Sequence, residues 1–376
     1  MTNPLQFPPS RVAAVEGANG LNVFDARSTA DDVLGDLDLR GRHVLLTGAS
    51  SGLGIETARV LVARGARVVG AVRSPDQAAA ATAVVREAAR DGGGLDLVPL
   101  NLASLASVRG CAQALLQREQ PFDVVVANAG VMATPFARTD DGLEMQLATN
   151  HLGHFVLINR IASLMGTGSR LVVVASSSHR AADGDFDDLN VERSDYHPQL
   201  AYARSKLANV LFAVEFDRRH RDRGVRAAAV HPGTIRTGLG RHIGQDVMDQ
   251  AVAQISASLT AQGEPPFQWK SVEQGAATSV WAGFVAPADE VGGRLLRELP
   301  RVRRRRCVRE PAGRRRQRDR TRSRNRRADV ASQRSAGRRT LLSPRPGTSR
   351  IAGPGFPRHR DPRPLTRRAP PGRSPS

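Results

Sequence analysis

The sequence predicts an α/β fold, a doubly wound parallel sheet in a single domain, and three observations carry the prediction. Short apolar runs of strand length alternate with helix-periodic stretches at intervals of roughly 25 residues. A strand, a glycine turn and a helix follow one another over residues 43–62. The glycines and asparagines that punctuate the pattern stand at carboxyl ends of the predicted strands, where such sheets bind ligands.

Composition narrows the classes. A chain of 376 residues suits one large α/β domain or two small ones. Its net charge of +19 is unevenly placed: residues 295–376 hold 27 arginines against five acids, a net +22, so residues 1–294 carry −3. Lys206 and Lys270 are the only lysines, a bias toward arginine that reflects a GC-rich genome. Two isolated cysteines, Cys111 and Cys307, give neither a disulfide framework nor a metal spacing, which fits a reducing compartment. Residues 1–10 are polar and proline-rich rather than a signal peptide, and no apolar run reaches the ~18 residues of a membrane span. A cytoplasmic protein without a membrane partner is expected.

Residues 1–40 read as an arm, in which Ser28-Thr29-Ala30-Asp31-Asp32 resembles a capped helix start running through Val33 and Leu34. The domain spans 41–294. Its first strand, around Val44-Leu45-Leu46, breaks at Gly48 and opens into the helical pattern Ile55, Ala58, Val60, Leu61, Val62. Gly48 permits a tight turn, Gly52 a close approach to a pyrophosphate and Gly54 close packing of helix on strand, with the anion at the helix N-terminus. The spacing differs from the commoner G-x-G-x-x-G, and three glycines in a loop also describe an ordinary turn.

A second strand, 66–73, ends on Arg73. An acid at this point of a dinucleotide fold hydrogen-bonds the ribose 2′-hydroxyl, whereas an arginine accommodates a 2′-phosphate. Arg73 therefore reads either as a contact favouring NADP(H) over NAD(H) or as a solvated cation. An alanine-rich helix over 76–90 precedes a third strand, 95–100, and Asn101-Leu102-Ala103-Ser104 opens the next helix. A fourth strand, 122–127, ends in Asn128-Ala129-Gly130. A helix is predicted over 141–165; within it Asn150 is either a functional amide or a satisfied core amide. Strand five, 170–175, runs into Ser176-Ser177-Ser178-His179, where His179 reads as a loop histidine.

After an acidic loop, 183–188, comes Tyr202-Ala203-Arg204-Ser205-Lys206. Positions i and i+4 share a helix face, so phenol and ammonium point the same way. A free tyrosine titrates near ~10, and the neighbouring cation is expected to lower that value by favouring the phenolate. A compact ammonium reaches where a guanidinium does not, which accounts for a lysine here. Farther on, Ile243, Val247, Met248, Val252, Ile255 and Leu259 recur at helical spacing, as an apolar lid over a substrate or as plain core.

Assembled, Thr47-Gly48-x-x-x-Gly52-x-Gly54, Asn128-Ala129-Gly130, Asn150, a serine after strand five, Tyr202-x-x-x-Lys206 and Pro232-Gly233 stand in the order of the short-chain dehydrogenase/reductase family. The chain resembles that family over residues 28–294. Thr149-Asn150-His151-Leu152-Gly153-His154-Phe155, Phe186-Asp187-Asp188-Leu189-Asn190 and Ser205-Lys206-Leu207-Ala208-Asn209-Val210-Leu211-Phe212 resemble its retinol dehydrogenase-like branch, which includes WW-domain oxidoreductases. The resemblance implies a Rossmann fold and an NADP(H)-preferring oxidoreductase, with NAD(H) as the alternative cofactor, moving hydride between nicotinamide and a small carbonyl or alcohol substrate.

It also implies catalytic roles for Asn150, Ser176, Tyr202 and Lys206. Tyr202 would be the general acid or base, and the serine would donate to the substrate oxygen, with Ser177 the runner-up to Ser176. Lys206 would lower the phenol pKa and hold the nicotinamide ribose, while Asn150 would support a relay water. The cofactor would lie against Gly48, Ser50, Ser51, Gly52, Leu53, Gly54, Arg73, Asn101, Leu102, Asn128, Ala129 and Gly130, and against Tyr202, Lys206, Pro232, Gly233 and Thr237, with no metal. Asn101 replaces the usual aspartate beside the adenine, and its amide oxygen still accepts a hydrogen bond. Homo-oligomerisation stays open. Two other classes fit parts of the chain: a catalytically silent nucleotide-binding protein and a nucleic-acid binder driven by the tail.

From Leu295 onward periodicity stops, and residues 295–376 read as a disordered basic tail. Nucleic-acid binding is disfavoured because Phe356 is the one aromatic interleaved among the charges. The family branch would continue past Gly293-Arg294 with Tyr-Cys-Glu-Asn-Cys. Leu295-Leu296-Arg297-Glu298-Leu299-Pro300, encoded as CTA CTG CGA GAA CTG CCG, yields that peptide when read one base on. A frameshift is thus the expected origin of the tail, and sequencing the 3′ end of the gene tests it.

Overall fold

A computed structural model describes residues 24–263 and 266–296. Seven parallel strands form one sheet: β1 His43–Thr47, β2 Arg67–Val72, β3 Gly94–Pro99, β4 Val124–Ala127, β5 Arg170–Val174, β6 Arg226–Val230 and β7 Arg294–Leu296. Their order is β3-β2-β1-β4-β5-β6-β7. The chain winds outward one way from β1 to β3 and the other way from β4 to β7, so a crevice opens at the carboxyl ends of β1 and β4.

Both faces of the sheet are covered, which is why β1, β2, β4 and β5 carry consecutive apolar runs, whereas edge strand β3 exposes Asp96. Val44 and Leu46 enter one layer with Val60, Leu61 and Trp281, and Leu45 enters the other with Leu157, Ile158 and Phe216. The helices are α1 Ala30–Leu34, α2 Gly52–Val62, α3 Pro75–Ala81, α4 Ala83–Ala88, α5 Leu105–Gln117, α6 Met145–Leu147, α7 Gly153–Arg160, α8 Pro198–His220, α9 Gln245–Ala261, α10 Val272–Val280 and α11 Ala288–Val291. The first layer takes residues from α1 to α4, α10 and α11; the second takes them from α5, α7 and α8.

Residues 24–40 are built into the core. Phe24, Ala30, Val33, Leu34 and Leu39 are buried in the first layer, Thr29 and Asp32 form a capping box, and Asp31 accepts from Arg59 and Arg64. At the other end, β7 carries the sheet two residues past the boundary expected at 294. The expectations for residues 1–23 and for the basic tail beyond Leu296 lie outside the described residues.

Two predicted helices are segmented. The stretch 76–90 divides into α3 and α4 at Thr82, whose Oγ1 donates back to the Ala78 carbonyl at 2.8 Å. The stretch 141–165 starts late, where Glu144 accepts from the Gln146 and Leu147 amides, and then widens into a π turn over Ala148–Leu152 before α7. No described helix is long and apolar enough to cross a membrane.

Candidate active site

β1 delivers Thr47 and Gly48 to the crevice. Gly48 has φ +70°, and a Cβ there would meet Ala129 Cα at 2.9 Å. A Cβ on Gly54 would meet the Gly48 carbonyl oxygen at 2.0 Å, so space excludes any side chain at that point. Among the described residues Ser51 supplies no side-chain cap to α2. The Gly52 and Leu53 amides of the first turn therefore remain available to an anion, flanked by half-buried Ser50 and exposed Ser51, while the Gly54 amide donates to the Ser51 carbonyl at 3.1 Å.

Across the crevice β4 ends at Asn128-Ala129-Gly130. The Asn128 and Ala129 amides donate to Thr47 Oγ1 at 2.9 and 3.0 Å, and Asn128 Nδ2 donates to the Thr47 carbonyl at 3.0 Å. Arg73 is exposed one residue past β2. Asn101 is exposed past β3 and already accepts the Ala103 amide at 3.1 Å, which leaves its oxygen one further lone pair. Leu102 is buried and packs under Gly153, where a Cβ would meet the Leu102 carbonyl at 2.5 Å.

Tyr202 and Lys206 lie one turn apart on α8, with only 6% and 3% of their surfaces exposed. Lys206 Nζ sits 5.6 Å from the Tyr202 ring centroid and donates to the Val174 carbonyl at 3.0 Å. Of the two candidate serines, Ser176 is the one whose side chain acts on the Tyr202 hydroxyl, as a partner that favours the phenolate, and its Oγ donates to Ser178 Oγ at 3.1 Å. His179 Nδ1 lies 2.6 Å from the Ser176 carbonyl.

The expected lowering of the Tyr202 pKa does not hold in this arrangement. Burial pushes the phenol up to about 12, against the Ser176 hydrogen bond that favours the phenolate. Burial also pushes the Lys206 ammonium down to about 8. Desolvation penalises both charged forms, and the ammonium spends a proton on the Val174 carbonyl. At neutral pH the phenol is a proton donor.

Asn150 is fully buried and its amide is satisfied: Oδ1 accepts the Val131 amide at 2.8 Å, while Nδ2 donates to the Val131 carbonyl at 3.0 Å and to Ser205 Oγ at 2.9 Å. It nonetheless borders the site, since a Cβ on Gly130 would meet Asn150 Oδ1 at 3.0 Å and Lys206 Nζ at 3.6 Å. Past β6, Gly233 has φ +94° and lies under the Lys270 side chain beside Pro232. The Thr237 methyl stands 3.4 Å from where a Gly52 Cβ would be, so this loop closes on the glycine loop.

Residues assigned to the site thus gather along one edge of the sheet from the ends of β1 to β6. Every residue of α9 is half-buried or exposed, Val247 to 55%, so its apolar stripe is not core. Sequence reasoning gave no role to His154 or Ser205, although both lie in the quoted motifs. The spacing of His154 four residues after Asn150 is the available signal.

A model of the short chain dehydrogenase family matches residues 42–248. Retinol dehydrogenase 14 of Mus musculus is 39% identical over 269 residues, covering 69% of this chain and 78% of that one. The WW domain-containing oxidoreductase of Homo sapiens is 36% identical over 279 residues, covering 72% and 64% respectively. The crystal structure of an uncharacterized protein from Mycobacterium paratuberculosis is 33% identical, with a TM-score of 0.54 over 76% of this chain and 91% of that one.

Proposed function

The chain belongs to the short-chain dehydrogenase family, NAD(P)-dependent oxidoreductases of CH–OH and C=O groups, and on that premise we propose that it is an NADP(H)-preferring reductase of carbonyl compounds, or dehydrogenase of the corresponding alcohols. One observation carries the reading: buried Tyr202 shares a helix face with Lys206, whose Nζ lies 5.6 Å from its ring, beside a glycine-loop helix with no side-chain cap.

When bound, a nicotinamide supplies or takes the hydride. In reduction Tyr202 gives its proton to the oxygen as negative charge develops there, and Ser176 donates to the same oxygen. Lys206, charged at neutral pH with its pKa pushed down to about 8, stabilises the phenolate left behind. The Gly52 and Leu53 amides would hold the pyrophosphate, and Arg73, with no acid beside it at the end of β2, would receive a 2′-phosphate. The half-exposed apolar stripe of α9 supports a substrate with apolar surface.

Thermal unfolding with NADPH, NADH or neither tests the cofactor reading. A ligand at 100 times its dissociation constant adds about 2.7 kcal/mol to the folded state. NADPH should raise the midpoint above NADH, and aldehydes or ketones should then consume NADPH. Equal shifts, or none, contradict the proposal.

A further inference from the structure

A directed chain of buried hydrogen bonds joins the glycine loop to the Tyr202 helix through a histidine that the reaction outlined above does not use. Thr47 is 1% exposed, His154 2%, Asn150 0% and Ser205 0%. A threonine hydroxyl offers one proton and two acceptor sites. The Asn128 and Ala129 amides fill the acceptor sites of Thr47 Oγ1, so its proton goes to His154 Nε2 at 2.8 Å. Nε2 is therefore the bare nitrogen. The ring proton sits on Nδ1 and is donated to the Asn150 carbonyl at 3.0 Å, inside the π turn. From Asn150, Nδ2 donates to Ser205 Oγ at 2.9 Å, and Ser205 donates to the Tyr202 carbonyl at 2.7 Å.

Each partner fixes the next, and the imidazole is the member that links Thr47 beside the glycine loop to the Asn150 turn. A second ring proton would face a Thr47 oxygen whose lone pairs are taken. Burial, with the Lys206 and His151 charges nearby, likewise holds the ring neutral, its pKa pushed down to about 4.

We propose that His154 is a positioning residue for hydride transfer: a neutral imidazole of fixed tautomer that ties the Asn150 turn to the glycine loop, so that cofactor loop and Tyr202 helix hold a single geometry. This rests on the proposed oxidoreductase function. Nε2 steadies the loop through Thr47, and Nδ1 steadies the Asn150 turn, which leads to Tyr202 through Ser205.

The two halves separate by substitution. His154→Gln keeps an amide near the Nε2 position and loses the donor to Asn150. His154→Asn keeps a donor near the Nδ1 position and loses the Thr47 partner. The Gln variant should hold NADPH affinity within about threefold and lose about tenfold or more in kcat, whereas the Asn variant should hold kcat at saturating NADPH within about threefold and bind NADPH about tenfold more weakly. Wild-type values in both variants, or equal loss of both quantities in both, overturn the proposal. Nitrogen-15 spectra of histidine in the wild-type protein give a readout independent of any variant's folding. His154, assigned through its own backbone resonances, should show a protonated Nδ1 and a bare Nε2 from neutral pH down to pH ~5; the opposite tautomer, or titration near pH ~6.5, overturns the proposal. If the wild-type protein reduces no carbonyl compound, the functional reading fails, while the tautomer and the NADPH affinities still decide the role of His154.

Discussion

At neutral pH the Tyr202 phenol keeps its proton, because its surroundings are too dry to support a phenolate, and the Lys206 ammonium keeps its charge by a narrow margin. A pH dependence follows. A site that needs the Lys206 cation should lose kcat/KM for reduction as pH rises above about 8. Lys206→Arg keeps the charge, so it should remove that step, while its larger planar head, in a slot only 3% exposed, lowers the plateau by about tenfold. A wild-type profile flat to pH ~10 contradicts the assignment. Arg73 makes a second prediction: Arg73→Asp should weaken NADPH by about tenfold or more and leave NADH within about threefold, as read by fluorescence titration. At this scale the tyrosine, lysine and glycines are legible, since helix spacing and the absence of a Cβ are properties of the chain itself. The pKa directions are not legible, because burial comes from β5 and its loop, dozens of residues away. Nor is His154 as a link to Thr47, since that contact spans a sequence separation of 107 residues.

At the element scale the first five strands read correctly, β1, β2, β4 and β5 because each carries a consecutive apolar run, the mark of a sheet covered on both faces, whereas β6 and β7 are not among the predicted strands. The helix expected over 141–165 did not, since its start is set by the Glu144 cap and its middle widens at Asn150 to meet Val131 and Ser205. Helix periodicity carries no trace of either partner. The first helix shows the same limit. Five residues long, α1 has little stability of its own, yet Ala30, Val33 and Leu34 are fully buried against the first layer, and Gln274 Nε2 on α10 reaches back to the Arg27 carbonyl at 3.0 Å. Residues 24–40 therefore behave as part of the domain. Leu34→Ala should cost about 2 to 5 kcal/mol, read as a lower urea midpoint at unchanged slope. A change below about 0.5 kcal/mol would mean that the segment is only draped on the surface.

Across the whole molecule, one buried histidine and one half-buried histidine make the fold sensitive to mild acid. Burial pushes His154 and His231 down to about 4, below the ~6.5 of an unfolded chain. Between those values the unfolded state binds more protons, so stability is fully present above pH ~6.5 and is lost as pH falls toward 4. The loss is up to about 3 kcal/mol for His154 alone as pH reaches 4, of which about 2 kcal/mol falls between pH 7 and pH 5, and unfolding at those two pH values measures it; equal stability at both contradicts the neutral state of these rings. The topology is what lets distant residues act together. The winding reverses between β1 and β4, and the ends of neighbouring strands bring the glycine loop, Ser176 and the base of α8 to one crevice. The central claim, that Tyr202 moves the proton in this crevice, is tested most directly by Tyr202→Phe, with turnover and NADPH affinity measured on the same preparation. The account predicts a loss of at least about a hundredfold in kcat with the NADPH dissociation constant within about threefold of wild type. Retained turnover, or turnover lost only in step with cofactor binding, would contradict it.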